Sequence, residues 1–190
     1  MVNDAVGALA AERRWGALNG IDDCAYVTWS TGIGTGLCVG GQTLVGRNGN
    51  AGHAGHSFVN GNDAALCGCG NVGDVESQVA GNGLERLHGV EPRALFEAAA
   101  SGQARERAIV ADACDVFERL LFNLVATLDL QRIAIGGSLF WNNREQLLPE
   151  LRARMARRPP AFVEGVEIVP CGLGPEVGDY GALAVALPED

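Results

Sequence analysis

The chain has 190 residues, which is enough for one domain with a real hydrophobic core or for two very small domains. Its apolar fraction of 47% is too high for a disordered chain, and its net charge of −9 argues against nucleic acid or an anionic membrane as a partner. All 14 basic residues are Arg, so lysine chemistry, such as a Schiff base or a phosphate-loop lysine, is not available.

The cysteine pattern and the hydropathy of the sequence indicate the cellular compartment of the protein. The six cysteines are scattered, unlike the dense framework of a disulfide-bonded secreted mini-protein. No apolar run approaches the roughly 20 residues of a membrane span, and the N-terminal sequence does not resemble a signal peptide. We therefore expect a reduced, acidic, cytoplasmic protein without membrane contact.

The first half of the chain predicts a helix and then an antiparallel meander. The helix is predicted over residues 2–20, with Asn3 as its N-cap and Gly20 as its stop. A strand is predicted for CAYVTWST, a second strand follows the glycines of STGIGTG, and a Gly-Gly turn leads to a third. Residues 47–73 are too polar and broken for a helix, and a loop of this length is usually functional or disordered.

The remaining sequence predicts helices alternating with two strands. Short helices are predicted for DVESQVAG, GLERLHG and EPRALFEAAASG, and a long one for residues 104–130, whose apolar residues recur at three- and four-residue steps. The segment QRIAIGGSLF predicts a strand ending in a Gly-Gly turn; NREQLLPELRARMARR a helix; GVEIVPC a strand; and DYGALAVAL a closing helix. The order predicts an α/β fold with a mixed sheet covered by helices.

Three short segments carry chemistry. The glycines of STGIGTG (30–36) and IGGS (135–138) would let backbone N–H groups approach a phosphate, although each also suits a plain turn. Between them lies GHAGHSFVNGNDAALCGCGNVGDVES, with two of the three histidines and two of the six cysteines. A Cys-x-Cys pair with a nearby His is a typical zinc-ligand set, although a degenerate site without metal has the same residues.

Taken in order, these segments resemble the sugar kinases of the ROK family (repressors, open reading frames and kinases). The motifs are NDA opening a helix, STGIGTG before a hairpin, GHAGH, CGCGNVGDVE and IGGS. Within that family the His53-x-x-His56 form resembles bacterial N-acetylmannosamine kinases, whereas glucokinase-like members usually have Glu-x-x-His. The resemblance covers essentially the whole chain.

The resemblance implies the large lobe of an actin-like (ribonuclease H-like) ATPase, with residues 1–20 resembling the end of the first lobe. Members of the family run to roughly 300 residues and begin with an Asp-x-Gly-x-Thr phosphate loop, which these 190 residues do not contain. The short chain alone is therefore expected to be a poor kinase. A homodimer is also implied.

The resemblance implies the following roles. Asp4 is the general base, paired with Asn3 at the sugar, and His53, His56 and Glu76 contact the sugar; the alternative for Asn3, Asp4 and Glu76 is helix capping and dipole stabilisation. The hairpin of Gly32, Ile33, Gly34, Thr35 and Gly36 and the turn of Gly136 and Gly137 bind ATP with Mg²⁺. Structural Zn²⁺ is held by His56, Cys67, Cys69 and Asp74, where Asp74 stands in place of the family's third cysteine.

The expected reaction is ATP-dependent phosphorylation of N-acetyl-D-mannosamine at its 6-hydroxyl. Three alternatives remain open: the sugar-binding domain of a ROK regulator, although no helix-turn-helix is present in this sequence; a glucokinase-like hexokinase; and a truncated product without kinase activity.

Overall fold

A five-stranded mixed sheet forms the centre of the computed structural model, which describes residues 4–187. The strands are β1 (Cys24–Trp29), β2 (Ile33–Val39), β3 (Gln42–Thr43), β4 (Arg132–Gly136) and β5 (Glu167–Pro170). Their spatial order is β3-β2-β1-β4-β5. The first three strands pair antiparallel as the predicted meander, while β4 and β5 continue the sheet parallel to β1.

Helices cover both faces of this sheet. They are α1 (Asp4–Trp15), α2 (Val75–Val79), α3 (Gly81–His88), α4 (Pro92–Ala100), α5 (Ala104–Leu128), α6 (Ser138–Asn142), α7 (Arg144–Met155), α8 (Pro160–Val163) and α9 (Val177–Ala186). Single 3-10 turns occur at Ala54–His56 and Gly174–Glu176. Among residues 4–187, no helix combines the length and apolarity needed to cross a membrane.

Alternation along the strands divides the core into two layers. Val27 and Trp29 of β1 belong to the larger cluster, which also contains the buried face of α5. The Trp29 indole stacks on Phe117 of α5 with ring centroids 4.0 Å apart, and its Nε1 donates a hydrogen bond to the Val79 carbonyl. Tyr26 faces the opposite layer, where α1 packs. Because β1 is buried on both faces, its sequence is apolar except for the half-buried Thr28.

The predicted end of the first helix was wrong. Helix α1 ends at Trp15 rather than near residue 20, because the Glu12 carboxylate accepts a hydrogen bond from the Ala17 N–H and the chain turns at Gly16. Strand β4 ends at the predicted Gly-Gly turn, where Gly137 takes a φ of 90°, and the short helix α6, which was not predicted, begins at Ser138. The predicted N-cap, Asn3, lies outside the described residues.

Candidate active site and metal cluster

The glycine hairpin between β1 and β2 lies against the beginning of α1. A Cβ atom on Gly36 would lie 2.4 Å from the Ala5 carbonyl oxygen and 2.6 Å from the Leu9 Cβ, so only glycine lets α1 cross β2 at this distance. Gly34 likewise approaches Ala5. These two glycines, predicted to bind ATP, therefore also have a packing role, which brings Asp4 next to the hairpin.

Asp4 is exposed and lines a cavity of about 300 Å³ between α1, α6 and the beginning of α9. Tyr26 and Thr28 of β1 line the same cavity, together with Gly137. Gly137 is in close contact with β1, since a Cβ there would lie 2.5 Å from the Trp29 carbonyl oxygen. The predicted base and the predicted ATP-binding turn thus share one cavity.

A larger pocket of about 660 Å³ opens on the other side of α6. Its lining includes Ser30 and Thr31 of the hairpin, Asn82 of α3, Phe96 of α4 and Ser138 of α6. The Ser30 and Ser138 hydroxyl oxygens are 2.8 Å apart and connect the two glycine segments. Asn82, Phe96 and Ser138 were missed at the sequence level; only Ser138, which follows the Gly-Gly turn, had a local signal.

The loop that carries the two histidines packs along β2. Thr35 is fully buried, and its Oγ1 donates a 2.6 Å hydrogen bond to the Gly52 carbonyl. A Cβ on Gly52 would lie 2.3 Å from the Thr35 carbonyl oxygen, and one on Gly55 would lie 2.5 Å from the Ile33 carbonyl oxygen. The glycines of GHAGH therefore permit a close fit to the strand. Thr35 holds this loop against β2, and its predicted contact with ATP stays a prediction.

The two histidines have different surroundings. His53 is exposed, and its Nδ1 lies 3.1 Å from the Asn50 carbonyl oxygen. His56 is half-buried, and its Nδ1 lies 3.1 Å from Oδ2 of Asp74. The two rings are nearly parallel, with centroids 6.1 Å apart. His56 thus belongs to a side-chain cluster, whereas His53 faces solvent.

That cluster contains the four predicted zinc ligands. Donor atoms of His56, Cys67, Cys69 and Asp74 all lie within 4.8 Å of one another. His56 Nδ1 is 3.8 Å from the Cys67 sulfur and 3.7 Å from the Cys69 sulfur, and the Cys69 sulfur is 3.9 Å from Oδ2 of Asp74. A tetrahedral zinc ion with ordinary bond lengths separates nitrogen and sulfur ligands by about 3.5 Å. The two nitrogen–sulfur distances are close to this value, so the four side chains are placed to converge on one zinc ion.

A tight turn in the CGCG sequence aligns the two cysteines. The Cys67 N–H donates to the Asn71 carbonyl, and the Gly70 N–H donates back to the Cys67 carbonyl. Gly70 adopts a φ of 95°, which a side chain would oppose. Leu66 and Val72 close the turn with an isolated antiparallel bridge. Both sulfurs consequently approach His56.

Asp74 serves the cluster and helix α2 at once. Its Oδ1 accepts a 2.8 Å hydrogen bond from the Ser77 N–H and caps α2, while its Oδ2 faces His56. Burial acts to raise the pKa of this carboxyl, but the hydrogen bonds from Ser77 and His56 outweigh it and leave the pKa below its ordinary value. Burial raises the pKa of the Cys67 thiol to about 12, so a metal ion must displace a proton there.

Glu76 connects the cluster to the hairpin. Its Oε2 accepts a 2.9 Å hydrogen bond from the Ile33 N–H, and its Oε1 lies 3.5 Å from the Cys67 sulfur. The side chain is half-buried. The residue predicted to contact sugar therefore also holds the hairpin.

The sequence profile described as ROK family matches residues 1–189. The chain belongs to the ROK family. It is 33% identical to the glucokinase of Aeropyrum pernix, across the whole chain and 67% of that relative. It is also 33% identical to the N-acetylmannosamine kinase of Shigella boydii, across 99% of the chain and 64% of that relative. The chain thus spans about two thirds of the length of these ROK relatives.

The fold agrees with this membership. A ROK family glucokinase from Streptomyces griseus, solved in complex with glucose and AMPPNP, superimposes with a TM-score of 0.84 at 26% identity. The match covers 97% of this chain and 67% of that one. The predicted actin-like α/β fold is confirmed.

Proposed function

We propose that this ROK chain contributes the large lobe of an ATP-dependent sugar kinase whose substrate is N-acetyl-D-mannosamine. The observation that carries the proposal is the placement of the glycine hairpin. It touches the α1 segment that carries Asp4 on one side and the Glu76 carboxylate on the other. A phosphoryl donor at the hairpin would then adjoin both the base and the sugar-binding group.

The nucleotide would extend from the hairpin into the 660 Å³ pocket. Backbone N–H groups around Gly32 suit phosphate oxygens, and the Ser30 and Ser138 hydroxyls lie at the junction with the pocket. Phe96 supplies an apolar wall for a base. The Streptomyces griseus relative binds AMPPNP, which supports the same ligand class here.

Asp4 would act as the general base. Its exposed carboxylate can accept the proton of the sugar 6-hydroxyl as that oxygen attacks the γ-phosphate. Phosphoryl transfer otherwise depends on positioning and on neutralising charge, which Mg²⁺ supplies when bound to the phosphates. Asp4 is the one carboxylate among the described residues lining its cavity, so Mg²⁺ would be bound mainly by ATP phosphates and water.

The sugar would be held by His53, His56 and Glu76. If Nδ1 of His56 binds the metal, the ring proton stays on Nε2, which is then a fixed hydrogen-bond donor for a hydroxyl or an N-acetyl carbonyl. The exposed His53 offers a second donor beside it. His56, Cys67, Cys69 and Asp74 would hold the zinc ion, which supplies structural closure of the loop.

Competition calorimetry tests the substrate. N-acetylmannosamine should bind more tightly than glucose to zinc-loaded protein in the presence of a non-hydrolysable ATP analogue. His53→Ala should reduce that preference more than Glu145→Ala, which changes an exposed carboxylate on α7. Equal or tighter glucose binding would instead favour a glucokinase-like activity, which the Aeropyrum pernix relative at 33% identity represents.

A further inference from the structure

The Glu76 side chain contacts two parts of the site that are far apart in sequence. One oxygen accepts the Ile33 N–H at 2.9 Å, within the glycine hairpin. The other lies 3.5 Å from the Cys67 sulfur, within the metal cluster. Among the described residues, Glu76 is the side chain that hydrogen-bonds to both a predicted zinc ligand and the hairpin backbone. A shift of Ile33 or of Cys67 would therefore change the contacts of this carboxylate.

The fit between Glu76 and the hairpin is close. A Cβ atom on Gly32 would lie 2.9 Å from Oε2 of Glu76, which is too near for an undisturbed contact. Gly32 therefore leaves room for the carboxylate, and a larger residue would push that side chain away. This contact gives a way to disturb the connection from the hairpin side.

The cluster also holds the backbone beneath Glu76. Asp74 caps α2 with one oxygen while the other faces His56, and Glu76 lies in the first turn of that helix. A metal ion bound by Asp74 would thus fix the start of α2 beneath Glu76. Cys67 would bind the metal as a thiolate, which no longer donates a hydrogen bond to Oε1, so the Ile33 N–H would remain as the donor that holds the carboxylate at Oε2.

We propose that Glu76 is a positioning residue that couples metal binding at the cluster to the conformation of the nucleotide hairpin. The proposal rests on the proposed function, in which the cluster binds zinc and the hairpin binds ATP phosphates. Coupling between two binding sites is reciprocal. Zinc should raise the affinity for an ATP analogue, and the analogue should raise the affinity for zinc, by the same factor of about ten.

Amide hydrogen exchange tests the coupling without nucleotide. In the wild-type chain, zinc should slow exchange across residues 30–36, with the Ile33 amide as the main reporter. Glu76→Ala should abolish this zinc dependence. Glu76→Gln should keep most of it, because the amide oxygen can still accept from Ile33 and the amide nitrogen can donate to a Cys67 thiolate. The matched control is Glu145→Ala, a first-turn carboxylate on α7, which should behave as wild type.

Gly32→Ala tests the same connection without altering Glu76 itself. The added methyl group should displace the carboxylate and reduce the zinc dependence of hairpin exchange, while the zinc content of the protein stays unchanged. A variant that keeps both its zinc and its zinc-dependent protection would contradict the proposal.

Calorimetry with a non-hydrolysable ATP analogue, with and without zinc, measures the expected factor and separates the possible failures. Zinc binding with no change in hairpin exchange would overturn the coupling alone. No zinc binding would overturn the metal site and the coupling together. Zinc-dependent exchange without nucleotide binding would support the coupling and count against the proposed kinase function.

Discussion

The two halves of the candidate site are held in place by different means. Asp4, the hairpin and the Gly-Gly turn lie at the ends of α1, β1 and β4, which are embedded in the two core layers. The histidines and cysteines lie on residues 52–74, where regular structure is limited to one 3-10 turn and one isolated bridge. Asp4, the hairpin and the Gly-Gly turn form a core-supported half, which is stabilised by buried apolar side chains. Residues 52–74 form a loop half, which depends on close glycine contacts and on the metal cluster itself. Metal removal should therefore affect the second half far more than the first.

The largest expected effect is a loss of catalytic rate when Asp4, in the core-supported half, is substituted. Asp4→Asn removes the proposed base and should lower the rate of phosphoryl transfer by about 10²- to 10⁴-fold, because general bases contribute factors of this size. Zinc content should not change, since Asp4 lies outside the cluster. The measurement is ADP release dependent on ATP and N-acetylmannosamine, in this chain and in any longer product of the same gene. A rate within twofold of wild type would exclude Asp4 as the base.

The next largest effect concerns the loop half. Cys67→Ser removes a thiolate from the cluster and should weaken zinc binding by about a hundredfold or more, since serine is a poor zinc ligand. Residues 52–74 should then be cut more readily in limited proteolysis, while the thermal unfolding of the core changes little. Cys114→Ser, which changes a buried cysteine on α5 outside the cluster, is the control and should keep its zinc. Unchanged zinc affinity of Cys67→Ser would remove it from the ligand set.

Two glycine substitutions compare the halves directly. Gly36→Ala should lower the free energy of unfolding by about 1–3 kcal/mol with or without zinc, because the new methyl group meets the α1 backbone. Gly55→Ala, which meets Ile33, should weaken zinc binding with little loss of global stability. Gly61→Ala is the matched control, with open space around its Cβ position. Denaturant unfolding and zinc titration of all three variants measure the two effects. Equal losses of stability and of zinc affinity in Gly36→Ala and Gly55→Ala would contradict the difference between the two halves of the site.

The smallest expected effects concern Asp74. Asp74→Asn keeps the helix cap but loses the charge, and should weaken zinc binding by roughly tenfold with little effect on stability. Asp74→Cys should tighten zinc binding but lose the cap, with a cost to stability of about 1 kcal/mol in the metal-free protein. Zinc titration and thermal unfolding separate these two quantities. Zinc affinity unchanged in both variants would mean that Asp74 caps α2 without binding the metal.

The sequence predicted most elements because their signals are local. The long helix α5 was predicted from its apolar periodicity and differs from the prediction by two residues at its C-terminal end. The end of α1 was wrong because a side-chain hydrogen bond from Ala17 to Glu12 stops the helix before Gly20. The convergence of His56, Cys67, Cys69 and Asp74 followed from the family resemblance rather than from spacing, and their binding of zinc stays a prediction.

Contacts between segments that are distant in sequence could not be predicted from the sequence. The burial of Thr35 and its bond to Gly52 depend on how residues 47–52 fold back on β2. The bond from Ile33 to Glu76 spans 43 residues, and no local pattern specifies it. The large pocket likewise combines α3, α4 and α6, so Asn82 and Phe96 had no signal.

A zinc ion should organise residues 52–74, and zinc X-ray absorption spectroscopy measures its ligands. Protein purified without chelators should contain close to one zinc per chain. Its coordination should comprise two sulfur ligands at about 2.3 Å and two nitrogen or oxygen ligands at about 2.0–2.1 Å. Protein without zinc, or zinc bound without sulfur, would contradict the account.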